Sequence, residues 1–156
     1  MISLAGLEFD LEDVISWDPD RVAAAIERAK TFPDNPKLPP RKPEKKEEDG
    51  MFGEVGEMIS ERILNLLKHE NKYQDFETTG VLVDNVILSG TIEIKVLNRA
   101  SLDTMLTAIE RHLSHSSCNF LISILGDRCT GKFKFFRITD CTGGIKKLKT
   151  VKNYSN

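Results

Sequence analysis

A chain of 156 residues, 40% hydrophobic and 29% charged, is one domain's worth with material for a real core. No run approaches the roughly 18 apolar residues of a membrane span, and the start MISLAGLEFDLED lacks the basic head and long apolar centre of a signal peptide, so the expected location is intracellular, cytoplasmic or nuclear. The net charge of -2 hides an acidic first half, which excludes a generic charge-driven DNA binder, and a basic end after residue 130.

Taken in chain order, Asp18-Pro19 is a helix start, with Asp as N-cap and Pro at the first helical position, and Val22, Ala25, Ile26 and Ala29 repeat at helical spacing over 19–31. Trp17 and Phe32 bracket that helix and are expected to anchor it. Residues 32–50 hold five of the six prolines and a run of mixed charge, which predicts a mobile linker. Residues 1–31 then read as an N-terminal helical arm, able to serve a partner or a larger assembly, ahead of a core domain at 51–156. A long helix is predicted from Met51 to about Glu70, with Val55, Ile59, Ile63 and Leu66 on one stripe and Glu54, Glu57 and Glu61 pointing elsewhere.

Residues 80–98, GVLVDNVILSGTIEIKVLN, are the one apolar, β-branched stretch that also carries charges. With Ser89-Gly90 as the turn, the stretch reads as a hairpin of 81–88 and 91–97. That register sets Asp84 opposite Lys95 and Val86 opposite Glu93. Asp84, Glu93 and Lys95 then share one face, while Ile87, Ile92, Ile94 and Val96 fill the other. Two half-buried carboxylates this close repel, and a divalent cation, Mg²⁺ or Mn²⁺, relieves the repulsion. Such a metal polarises a phosphodiester and acidifies its bound water, and an adjacent ammonium stabilises the developing charge.

Asp84 followed by Glu93-Ile94-Lys95 resembles the PD-(D/E)xK nuclease superfamily, the restriction-endonuclease-like fold that includes Holliday junction resolvases, repair nucleases and viral cap-snatching endonucleases. Residues 53–137 follow the element order of that core: acidic helix, Asp strand, ExK strand, helix, further strands. The resemblance implies metal ligation by Asp84, Glu93 and the Ile94 carbonyl, a catalytic Lys95, and Glu57 as a helix-borne acid. The chain departs from the family in having Val83 where a proline precedes the aspartate. Glu44-Lys45-Lys46 and Glu70-Asn71-Lys72 also match the tripeptide but sit in polar segments. The competing reading of the three charges is a cross-strand ion pair on a solvated sheet face.

Further along, Ser101 caps a helix over 102–113, with Leu102, Met105, Leu106, Ile109 and Leu113 facing inward. Arg99 and Thr104 at its start are the polar residues placed to meet a phosphate. His112 and His115, three apart at a fraying end, are not read as a metal pair. NFLISIL at 119–125 is a buried-type strand, and KFKFFRIT at 132–139 is a strand with Phe133, Phe135 and Ile138 toward the core. Cys118, Cys129 and Cys141 are too widely spaced for a zinc knuckle and read as reduced thiols. Lys132, Lys134, Lys146, Lys147 and Lys149 can neutralise phosphates, or serve only solubility.

The expected architecture is α/β (α+β): a small mixed sheet flanked by helices, with the N-terminal arm. The expected function is a Mg²⁺- or Mn²⁺-dependent endonuclease acting on DNA or RNA, as a homodimer or within a larger assembly. The rivals are an inactive nuclease-like fold serving as a protein interaction domain, and a non-catalytic nucleic-acid binder using the basic end.

Overall fold

The computed structural model describes residues 3–70 and 80–154, and its fold is mixed α and β. The tripeptide at 70–72 thus falls largely outside the described residues. One five-stranded sheet forms the centre. Its path runs β1 (Glu8–Asp10), β6 (Lys132–Asp140), β5 (Phe120–Asp127), β4 (Ile92–Asn98), and β7 (Lys149–Asn153) also pairs with β6. β1 lies against the first residues of β6 and β7 against its last. β4 and β5 are parallel, joined by helix α4 (Leu102–Leu113), and every other pair in this sheet is antiparallel.

Two apolar layers sandwich the sheet. Ile92, Ile122, Ile124, Phe133, Phe135 and Ile138 face the long helix α3 (Pro43–Glu70), whose Val55, Met58, Ile59, Ile63 and Leu67 close that core. Leu97, Leu121, Leu125 and Phe136 face α4 through Met105, Ile109 and Leu113. The predicted inner stripe of α3 therefore holds, except that Leu67 is fully buried and Leu66 only partly. Ser101 caps α4 as expected, its side chain accepting from the Thr104 N–H, but Leu102 is half exposed.

The N-terminal part is built into this body. Helices α1 (Leu11–Trp17) and α2 (Pro19–Lys30) follow β1 directly, and Val14 and Val22 belong to the α3-side core. Asp18 caps α2 by accepting from the Arg21 N–H. The arm expected at 1–31 is thus a strand and two helices of the core. Trp17 does anchor it, edge-on to Phe9 and beneath the Arg62 guanidinium, whereas Phe32 is 65% exposed. The expected linker is also shorter than 32–50, because Pro43 starts α3 at its first position, a place proline suits. Arg41 ties the remaining loop down, bridging Asp34 at 3.2 Å and Asp49 at 2.8 Å.

The hairpin differs most from expectation. It spans β2 (Val81–Val83) and β3 (Val86–Leu88), with Val83 paired to Val86 and Asp84-Asn85 as the two-residue turn. Both turn residues have positive φ, +46° and +67°, which suits Asp and Asn in a hairpin turn of the primed type. Ser89-Gly90 instead leads from β3 into β4, so β4 never pairs with the strand before it. Ile92, Ile94 and Val96 do share a face, as the alternation predicts, while Ile87 is 68% exposed.

Candidate functional site

Asp84 is 8% exposed, and its carboxylate is surrounded by donors. The Leu4 N–H reaches Oδ1 at 3.1 Å and Oδ2 at 3.0 Å, the Ala5 N–H reaches Oδ2 at 3.2 Å, and the Tyr154 hydroxyl donates to Oδ2 at 2.8 Å. Burial pushes this carboxyl up, but the Tyr154 and Ser3 hydroxyls and the two backbone N–H groups outweigh it and hold the pKa below its ordinary value. The same contact raises Tyr154, after burial. Leu4 and Tyr154 are members of the α3-side core, so this carboxylate lies on the α3 side of the sheet.

Glu93 is on the other side. It alternates with Ile92 and Ile94 along β4 and so points toward α4, where His112 Nε2 donates to Glu93 Oε2 at 2.7 Å. Burial pushes the Glu93 carboxyl up, and hydrogen bonds from His112 and Ser116 more than offset it, leaving its pKa lowered. Glu93 and Asp84 therefore do not meet across a hairpin. The expected Asp84–Glu93 pair around one ion is not assembled, because the tight turn at Asp84-Asn85 folds the first strand back before it reaches β4.

Among the described residues, no group of three or more His, Cys, Asp and Glu side chains is arranged to hold a metal ion. The two carboxylates that the family resemblance places on one Mg²⁺ or Mn²⁺ ion, Asp84 and Glu93, lie on opposite sides of the sheet. Ile94, whose carbonyl was the expected third ligand, lies on β4 at the edge of the sheet.

Lys95 and Glu57 do come to one place. A cleft of about 540 Å³ runs between α3 and the edge strand β4. Gly53, Gly56, Glu57, Ser60 and Glu61 form its α3 wall, and Ile94, Lys95, Val96 and Asn98 its β4 wall, with His112 and Arg128 at the margins. The helix approaches β4 closely at Gly56, where a Cβ would stand 3.2 Å from Val96 Cβ. Lys95 makes no ion pair among the described residues, whereas Arg128 is committed to Asp49 at 2.6 Å and Glu48 at 2.9 Å. Glu57 is 70% exposed and 3.9 Å from the Arg21 guanidinium, so it faces the solvent side of the cleft.

The basic residues divide. Lys132 is 2.7 Å from Asp10 and 3.4 Å from Glu8, and Lys134 is 4.0 Å from Glu8, so the acids of β1 neutralise the basic strand β6. Lys146 and Lys147 lie in a 3-10 turn at Ile145–Lys147, and Lys149 opens β7 opposite Asp140. Arg99 follows β4, its backbone N–H donating to the Gly126 carbonyl, with its side chain exposed.

The residue that sequence reasoning passed over is His112. Its signal was present: it precedes Leu113, an inner residue of α4, and the α4 crossover from β4 to a parallel β5 lays that helix over Glu93. No helix is long and apolar enough to cross a membrane among the described residues. No family model matches the chain, and neither a curated protein nor a solved structure matches it.

Proposed function

We propose that the chain is a nucleic-acid phosphodiesterase whose working groups are Glu93, His112 and Lys95. The observation that carries this reading is the 2.7 Å Glu93–His112 bond beside a cleft that Lys95, which makes no ion pair among the described residues, also lines. A carboxylate accepting from Nε2 fixes the tautomer and orientation of the imidazole, leaving Nδ1 with the lone pair of a general base. His112 then takes the proton of an attacking water or sugar hydroxyl as that oxygen bonds to phosphorus, and gives the proton to the departing sugar oxygen as its own P–O bond breaks. The Lys95 ammonium stabilises the charge that develops on the phosphoryl oxygens. Arg99 at the end of β4, and Lys146, Lys147 and Lys149, supply cations for the backbone of a nucleic-acid chain. The order ExK strand, helix, parallel strand supports the nuclease resemblance at the level of architecture.

The test is cleavage of single- and double-stranded DNA and RNA by wild type, His112→Ala, Lys95→Ala and Asp84→Asn, each with Mn²⁺, Mg²⁺ or chelator. Cleavage lost in the first two variants and kept per folded molecule in the third supports the reading. Cleavage that needs metal and vanishes in Asp84→Asn would favour the family's four-residue site, and no cleavage by wild type on any substrate would end the enzyme reading. A second reading, a nuclease-like fold serving as an interaction domain, is favoured by the outer edge of β4, with which no strand pairs among the described residues.

A further inference from the structure

Among the described residues β4 ends the sheet, and the direction of its backbone groups follows from its bonds to β5. The Thr91 carbonyl and the Arg99 N–H both bond toward β5, so in this parallel ladder the odd-numbered residues point their N–H and C=O groups at β5. Those of Ile92, Ile94 and Val96 point outward. Among the described residues nothing in the sheet pairs with them. A bare strand edge of this kind is a template for another strand.

We propose that a second copy of this chain fills the edge, β4 pairing antiparallel with β4 of its partner about a two-fold axis through Ile94. In this register Ile94 meets Ile94, and Ile92 meets Val96. All of these are outward-pointing residues, so each exchanges both hydrogen bonds and no outward group is left over. Glu93 meets Lys95 twice, by symmetry, at the non-hydrogen-bonded positions where cross-strand side chains are closest. Shifting the axis by one residue either way sets Glu93 against Glu93 or Lys95 against Lys95. The strand is thus self-complementary in hydrogen-bond parity and in charge, which is what an isologous interface requires.

The same pairing gives the cleft beside β4 an occupant. Ile94 and Val96 line that cleft half-buried, on the α3 side, and the corresponding side chains of the second copy enter the room that α3 leaves above the edge. On the α4 side, a two-fold axis normal to the sheet brings both sets of Glu93, Lys95 and His112 to one face of the seam. The interface stands on strand geometry alone and does not depend on the hydrolase reading.

The experiment is sedimentation equilibrium of the full chain, wild type and charge-reversed. Wild type is expected to dimerise. Glu93→Lys and Lys95→Glu, each alone, set like charges together at both symmetric positions and are expected to weaken the dimer roughly tenfold or more. An equimolar mixture of the two variants restores opposite charges at both positions in the heterodimer and is expected to recover wild-type association. That recovery needs both variants folded, so it separates a charge effect from misfolding. A monomeric wild type at about 100 µM, a range that detects weak association, would overturn the proposal. So would dimers indifferent to either reversal, or a mixture that stays monomeric while both variants keep wild-type circular dichroism.

Discussion

Replacing Asp84 by asparagine separates a structural carboxylate from a catalytic one. In the structure the carboxylate accepts from two backbone N–H groups and from the Tyr154 and Ser3 hydroxyls, with Leu4 and Tyr154 both buried. A hydrogen bond to a charged group contributes about 1.5–3 kcal/mol net, and a buried donor left without an acceptor costs about 1–3 kcal/mol. Asparagine keeps one oxygen, and it tolerates the φ of +46° that would add strain to an alanine. Asp84→Asn is therefore expected to cost about 2–3 kcal/mol, a large share of a typical 5–15 kcal/mol stability. Urea unfolding with chelator present measures it, with an unchanged m-value confirming that the unfolded reference is the same. A cycle with Tyr154→Phe should return a coupling of about 1 kcal/mol or more. If Asp84 were instead one of two carboxylates waiting for a cation, removing its charge without metal would relieve repulsion. A loss below about 0.5 kcal/mol, or a gain, refutes the reasoning.

Other outcomes follow from the same structure. Because the folded pKa of Asp84 lies below its ordinary 3.8, its contribution is full above that value and is lost as the pH falls through the folded one. Urea midpoints should thus drop more steeply below about pH 4 in wild type than in Asp84→Asn. Gly50→Ala forces a Cβ against Ala29 Cβ and 3.2 Å from the Ala25 carbonyl oxygen, wedging α2 from α3, and should cost about 1–3 kcal/mol in thermal unfolding. Gly53→Ala, three positions further along α3, meets nothing within 4 Å and should gain about 0.5–1 kcal/mol from helix propensity. Native protein at pH 8 should react with a thiol reagent at exposed Cys129 alone. Cys118 and Cys141 are buried, and burial pushes the Cys141 thiol up to about 12, so these two should label only in denaturant.

What was legible in the sequence is local. Asp18-Pro19 and Ser101 announce their helices because a cap is decided by neighbours within three residues. The apolar run 119–125 and the alternation at 132–139 are strands because burial on one or two faces writes directly into residue type. The hairpin turn was also written locally, in Val83-Asp84-Asn85-Val86, but Ser89-Gly90 offered a second turn signal, and choosing it moved every facing residue. The site was less legible for a different reason. Asp84 is satisfied by residues 80 positions before it and 70 after it, and no window along the chain contains that triangle. Glu93 finds His112 only because the α4 crossover returns over β4, so its partner depends on a helix packing and not on a motif.

The triangle at Asp84 also bears on the order in which the molecule can be made. As the chain leaves the ribosome, the amide of Leu4 can find the aspartate once residue 84 has emerged. The phenol that completes its shell is seventy residues later. Until then the hairpin must either keep its charged turn in water or bury it one donor short. The later-emerging β7 and Tyr154 are therefore what allows that turn to settle, and a nascent chain stalled before residue 154 should hold β2 and β3 open to proteases while α1, α2 and α3 are already docked.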